Sequence, residues 1–336
     1  MDDHKIWDIV PRISTQVTEA FGTYSPLASQ LLHNRGINSN EEADKFLSRG
    51  QDLLEDPLLL PDMPIVIERI KHAINKRELI AIFGDFDADG TTGTALMAEG
   101  LERLGANVIP YIPHRTAEGH GLNQEAINFL RNKGTSLIIT VDCGVSSLKE
   151  IEYANSLGID IIITDHHPLT GDLPDALAIV NPNIESSSYP FRELAGVGLA
   201  LKLIQALSSD FGIAWDERLL QMAALGTITD VTPLVGENRY IVSAGLDSMN
   251  KDPLPGILEL LRLGRQPRSK VDTESISFVI GPRINAAGRL DHAITSYNLL
   301  RANSKDEAYP IAQELDRLNQ LRREITSDSM IVAMEK

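Results

Sequence analysis

Between residues 78 and 181 the chain alternates short aliphatic runs with longer stretches whose apolar residues recur at helical spacing. The runs cover 79–83, 108–112, 137–141, 159–163 and 176–180. Short runs without polar alternation suit strands covered by helices on both faces, as parallel sheets require. The pattern predicts an α/β fold, a doubly wound and mostly parallel sheet with helical N-terminal and C-terminal extensions. In such sheets ligands collect beyond the carboxyl ends of the strands.

Residues 1–75 read as a helical N-terminal segment. Ser25-Pro26 opens one helix, Ser39-Asn40-Glu41-Glu42 is the capped start of another, and Ile65, Ile67, Ile70 and Ile74 recur near helical spacing. Residues 76–235 form the α/β domain and residues 236–336 a mainly helical segment. Helices are expected over 197–211, 217–229 and 254–263 and from about residue 304 onward, where Ile311, Leu315, Leu318 and Ile325 trace an apolar stripe. Pro233, Pro253, Pro255 and Pro267 punctuate this half.

A hydrophobic content of 43% over 336 residues is enough for packed cores in about two domains. The single cysteine, Cys143, excludes an internal disulfide framework and fits a reducing compartment, so a cytoplasmic location is expected. No apolar stretch reaches the ~20 residues that span a bilayer. The start Met-Asp-Asp-His is not a basic, hydrophobic export signal, so a soluble, unprocessed chain without membrane contact is expected. The net charge of -16 argues against indiscriminate wrapping of nucleic acid, which needs clustered Lys and Arg. It leaves a nuclease open, because a carboxylate site is neutralised when metal binds.

The candidate chemistry follows the strands. Asp85, Asp87 and Asp89 follow the first run, Asp142 the third, and Asp165-His166-His167 the fourth. An EF-hand loop over the first group would need Glu at residue 96, which is Leu. A phosphatase using Asp87 as nucleophile and Asp89 as acid fits locally but leaves Asp165-His166-His167 unexplained. The third reading takes Asp87 and Asp89 as metal ligands, with Gly90 allowing a tight turn into a helix from near Thr91. Alternate residues of an extended segment share a face, and the helix start favours phosphate or its metal. Any one of these Asp residues alone would serve as a helix N-cap. Several carboxylates and imidazoles converging favour divalent cations. Cys143 lacks a base and is expected as a small buried residue.

The set Asp87, Asp89, Asp142, Asp165, His166, His167 and Asp230, with its surrounding segments, resembles the DHH phosphoesterase superfamily. Further segments extend the resemblance: Ile112-Pro113-His114-Arg115, Glu118-Gly119-His120-Gly121-Leu122, Asn181-Pro182-Asn183, Glu193-Leu194-Ala195-Gly196-Val197-Gly198, Gly236-Glu237-Asn238-Arg239, and Gly281-Pro282-Arg283-Ile284-Asn285-Ala286-Ala287-Gly288-Arg289-Leu290. Over about residues 24 to 325 they resemble the RecJ family of single-strand-specific exonucleases.

The resemblance implies metal-dependent hydrolysis of single-stranded DNA from the 5′ end, in recombination and repair. It implies that Asp89, Asp142, His166 and Asp230 ligate one cation, Mn²⁺ or Mg²⁺, and that Asp87 and Asp142 hold a second. His167 would lie on the phosphate side, with Asp85 and Asp165 supporting the ligands from behind. Arg283, Asn285 and Arg289 would hold phosphate oxygens, and Arg115 and His120 would line the strand's approach. His120 stands where the family commonly has an aromatic residue. Phe83 stands where many members have a histidine, which implies a weaker second cation. As partners the resemblance implies single-stranded DNA, a single-strand-binding protein and a helicase. Family members ordinarily continue beyond the position of Lys336 into further domains, so a fragment or a reduced homologue is expected. Hydrolysis of short oligonucleotides or cyclic dinucleotides, or a catalytically impaired nucleic-acid-binding subunit, are the alternatives.

Overall fold

All five aliphatic runs become strands of one parallel sheet: β1 (Leu79–Gly84), β2 (Asn107–Tyr111), β3 (Thr135–Val141), β4 (Asp160–Thr164) and β5 (Ala178–Val180). The structure is a computed structural model that describes residues 8–169, 171–264 and 270–334; Pro267 lies outside them. The strand order is β2-β1-β3-β4-β5, with every neighbouring pair parallel. The direction of winding reverses between β1 and β3, and a crevice at such a switch point is where doubly wound sheets take their ligands.

The extensions are helical, as the spacing predicts. α1 (Thr15–Ala20), α2 (Pro26–His33), α3 (Asn40–Ser48) and α4 (Met63–Lys76) come first. Ser25 and Ser39 cap α2 and α3 by accepting from the amides of Ala28 and Glu42. The compact units divide at Leu54 and Glu55 rather than near residue 75, because α4 packs on β5 and on α8 (Gly196–Asp210). The first unit has a small core of its own around Phe21, Leu32 and Ala43.

Successive strand residues point to opposite faces. Ala81, Phe83, Ile138, Ile161 and Ile163 face α6 (Gln124–Asn132) and α7 (Leu148–Ser156). The other face takes α5 (Ala88–Arg103) and α8. Beyond α8 follow α9 (Leu219–Thr229), α10 (Gly236–Lys251), α11 (Pro255–Leu263) and α12 (Thr273–Ser275). A π-helical turn, Ile276–Ile280, then leads into α13 (Gly281–Leu290), α14 (Ile294–Arg301) and α15 (Lys305–Met334). This second half is not a separate unit. α9 packs on α5, and Arg301 of α14 pairs with Glu99 and Glu102 of α5. No helix among the described residues is long and apolar enough to cross a membrane.

Candidate metal centre

Three consecutive strand ends deliver the acidic and imidazole groups, and each does so on the last rung of the ladder. The Asp85 amide donates to the Val141 carbonyl, the Asp142 amide to Thr164 and the Asp165 amide to Val180. Beyond these rungs the chain turns away, and the side chains are left at the carboxyl edge of the sheet. Asp142 sits there with φ of 63°, in the left-handed region that a non-glycine residue enters at a cost. Val231, directly after Asp230, does the same at 64°.

The helix after β1 begins earlier than the sequence suggests. α5 starts at Ala88, with Asp87 as its N-cap accepting from the Gly90 amide at 3.0 Å. Asp87 thus fills the structural role open to any Asp in this loop, through one oxygen. Gly90 does not make a turn; it lies inside the first helical turn. A Cβ there would stand 2.6 Å from the Asp85 backbone nitrogen, so the close approach of helix and strand end requires glycine.

Asp89 is buried in that first turn and fixed by two amides of the α8 N-terminus, Gly196 at 2.6 Å and Val197 at 2.9 Å. The His166 Nε2 lies 3.1 Å from Asp142 Oδ1, 3.8 Å from Asp230 Oδ2 and 4.0 Å from Asp89 Oδ2. Despite these distances, neither His166 Nε2 nor Asp142 Oδ1 has a hydrogen-bond partner, and both are buried. The two atoms therefore stand close together with neither bonded to the other, and both are free to take a shared ligand. Asp85, Asp87 and Asp142 bring carboxylate oxygens within 4.8 Å of one another in an adjoining group, and Asp85 Oδ1 is likewise buried without a partner.

Electrostatics describe the same deficit of positive charge. Burial, and then the neighbouring Asp89 and Asp87, push the Asp142 carboxyl well above its ordinary range. Burial followed by Asp230 and Asp87 does so for Asp89, against the opposing Val197 and Gly196 amides. Burial raises Asp85 and Asp230 to about 6, with Asp87 adding to both shifts. Burial and the adjacent His167 hold His166 below its usual value, which favours the neutral imidazole that ligates metals.

Orphaned buried oxygens and a neutral imidazole fit a divalent cation. An oxygen-rich, sulfur-free donor set is the kind that Mn²⁺ and Mg²⁺ take. Ligands set at right angles about such a cation, at about 2.1 Å from it, stand about 3 Å apart, comparable to the Asp142 to His166 separation.

Asp165 belongs to none of these metal-holding groups. It accepts from the Val145 amide at 3.0 Å, from the His167 amide at 3.1 Å and from His167 Nδ1 at 2.7 Å. Burial opposes its ionisation, but these donors outweigh it and keep its carboxyl below the ordinary value. The same bond raises His167, whose half-exposed ring packs 4.6 Å from that of His166.

The residues expected at the phosphate chain divide. Arg115 lies with its guanidinium carbon 5.0 Å from the Phe86 ring centre, and the His120 ring meets Phe86 edge-on at 5.7 Å. His120 Nδ1 is also 3.3 Å from Asp85 Oδ1. Phe86, between two acidic residues, carried no signal beyond its aromatic type. Asn285 accepts from the Ala88 amide at 2.9 Å, which ties α13 to the start of α5. Arg289 is exposed and lines a cavity of about 240 Å³ with Asn285, Ser277 and Arg322, beside Thr229 and Val231.

Arg283 departs from its expected place on phosphate. Its Nε and Nη2 meet Asp316 of α15 at 2.8 Å, its Nη1 donates to the Val279 carbonyl, and the group is largely buried. The guanidinium fork is spent on a helix-to-helix ion pair.

Residues 79–227 match the DHH family, N-terminal domain. The chain is 40% identical over 311 residues to the single-stranded-DNA-specific exonuclease RecJ of Bacillus subtilis, covering 93% of this chain and 39% of that protein. It is 39% identical over 325 residues to the Escherichia coli protein of the same name, covering 92% of this chain and 55% of that one. A crystal structure of exonuclease RecJ bound to manganese superposes with a TM-score of 0.75 at 34% identity, covering 84% of this chain and 70% of that chain. The chain thus spans from about two fifths to just over half the length of these two curated relatives.

Proposed function

Because this chain belongs to the DHH family, as a RecJ-type member, we propose that it is a catalytic core hydrolysing phosphodiester bonds in single-stranded DNA. The observation that carries the reading is the pair His166 Nε2 and Asp142 Oδ1, 3.1 Å apart, buried and without hydrogen-bond partners. Asp89, Asp142, His166 and Asp230 would hold one divalent cation, and Asp87 with Asp142 a second, with the Asp85 oxygen beside them. Mn²⁺ is favoured by the manganese-bound relative, and Mg²⁺ by the same donor chemistry. Such cations, when bound, acidify a ligated water and neutralise charge developing on the phosphate oxygens.

The chain's own residues prepare that chemistry. The amides of Gly196 and Val197 fix the Asp89 carboxylate, so its orientation costs nothing at the moment of reaction. Asp165 holds the His167 Nδ1 side and leaves the rest of that ring at the mouth of the centre, where a protonated His167 can donate to a phosphate oxygen. Arg115 and His120, braced on Phe86, supply a positive and stackable surface, and Arg289 a further cation. Attack from the 5′ end, a role in recombination and repair, and docking of a single-strand-binding protein and a helicase are part of this proposal through the family. Cytoplasmic residence is its compartment, consistent with the free, buried Cys143.

The test is to incubate the purified chain with 5′-labelled single-stranded DNA, duplex DNA and a dinucleotide, each with Mn²⁺ or with chelator. Release of mononucleotides from the single strand, dependent on Mn²⁺, is expected. Consumption of the dinucleotide alone would replace the proposal with a small-substrate phosphodiesterase. Binding of the strand without turnover would make the chain a binding subunit.

A further inference from the structure

Two buried or half-buried amides stand directly behind the paired histidines. Asn181 follows the last residue of β5 and is completely buried; its Nδ2 donates to the His167 carbonyl at 3.0 Å. Asn183 donates from its Nδ2 to the His166 carbonyl at 2.7 Å, and more weakly to the Arg192 carbonyl at 3.3 Å. The Asn183 amide in turn donates to Asn181 Oδ1 at 2.7 Å. That last bond fixes which way the Asn181 amide faces, since its oxygen must meet an N–H and its nitrogen must then meet His167.

We propose that Asn181 and Asn183 are positioning residues of the metal centre, holding the backbone of His166 and His167 so that the His166 ring meets Asp142. The proposal rests on the reading of Asp89, Asp142, His166 and Asp230 as cation ligands. The Asp165 amide makes the last ladder bond, to Val180, and beyond it β4 and β5 no longer pair. The carbonyls of His166 and His167 consequently lack strand partners, and the two asparagine amides take the place of the next rungs. Pro182 between them has no N–H to divert and a fixed φ, so Asn181 and Asn183 are presented with little freedom.

The residue type matters as well as the position. An ionised Asp would accept only and could not bond a carbonyl, and Ser would be too short to reach across. Without the two donors the 165–168 segment keeps only the Asp165 bonds and the hydrogen bond of the His166 ring with the Leu194 backbone, so its peptide planes are freer to rotate and the His166 ring to shift relative to Asp142. A metal site is sensitive to such displacements because its affinity depends on all ligands arriving together.

The experiment compares Asn183→Ala, Asn181→Ala and Asn183→Asp with the parent chain, reading Mn²⁺ binding directly from the electron paramagnetic resonance of free Mn²⁺. Thermal unfolding in chelator reports the fold. Asn155→Ala is the control, because Asn155 makes the same kind of bond, to the Asp175 carbonyl, and touches no residue of the centre. The alanine variants are expected to bind Mn²⁺ about tenfold more weakly or worse while melting in chelator as the control does. Asn183→Asp keeps the side chain's shape and carries the test if the alanine variants do not fold. Its added negative charge would tighten cation binding by electrostatics alone, so weaker binding in that variant reads as lost position. Parent-like or tighter binding in a folded variant overturns the proposal. A parent chain that takes up no Mn²⁺ brings down the metal reading and this inference together; binding by the parent and by every asparagine variant brings down this inference only.

Discussion

Gly196 stands so close to Asp142 that a methyl carbon on it would lie 2.5 Å from the Asp142 Cβ. The contact locks two parts of the centre together, since the Gly196 amide also holds Asp89. Gly196→Ala must therefore displace either the left-handed Asp142 or the start of α8. Overpacking of this kind costs about 1–3 kcal/mol. The expected outcome is a moderate fall in stability by urea unfolding and a much larger fall in Mn²⁺ affinity by titration. Parent-like Mn²⁺ binding would show that the contact relaxes without touching the ligands.

Asp230 is raised to about 6 by burial and by Asp87, which means that its charged form is disfavoured in the folded chain without a cation. Asp230→Asn removes that repulsion. In chelator the variant should melt a few degrees higher than the parent, whereas added Mn²⁺, which stabilises whatever binds it, should raise its melting temperature far less. A lower melting temperature in chelator would show that Asp230 is held by something other than strain.

Arg283 and Arg289 are six positions apart and should fail in different ways. Arg283→Gln removes the partner of Asp316 between α13 and α15 and should lower stability by about 2 kcal/mol, between the values for exposed and fully buried pairs. Its affinity for single-stranded DNA should change little. Arg289→Gln should leave unfolding unchanged, weaken strand binding and flatten its salt dependence by about one phosphate contact. Fluorescence anisotropy across a salt series, together with urea curves, reads both.

Lys202 and Glu237 form a completely buried ion pair at 2.5 Å, completed by the Tyr189 hydroxyl on Glu237 and the Glu55 carbonyl on the Lys202 ammonium. Lys202→Met leaves the Glu237 charge stranded, at a cost of about 3–5 kcal/mol. Lys202→Met combined with Glu237→Gln should recover part of that loss in chemical denaturation. A double variant no better than the single one would show that the pair contributes through its packing.

Much of the candidate centre is legible in the order of residues, because it depends on one local rule. Uninterrupted aliphatic runs make buried parallel strands, and whatever follows each run is delivered to the same edge of the sheet. That rule places Asp85, Asp87, Asp89, Asp142 and Asp165-His166-His167 at the ends of β1, β3 and β4, where the structure has them. Serine caps at 25 and 39 are equally local and equally readable.

Tertiary structure decided what depends on partners far away in the chain. Arg283 reads as a phosphate ligand until Asp316, 33 residues on, is found beside it. Asn285 reads as a substrate contact, and its Oδ1 also meets the amide of Ala88, 197 residues away, which no local pattern announces. No spacing rule links Asn181 and Asn183 to the carbonyls of His166 and His167, or Gly196 and Val197 to Asp89 at separations of 107 and 108 residues. The boundary between units moved for the same reason: α4 is an amphipathic helix by its own pattern, and only its packing on β5 and α8 assigns it to the sheet. Periodicity along the chain thus determined which groups reach the edge of the sheet. Their orientation, protonation and freedom were decided by contacts that exist only once the sheet and the helices around it have closed.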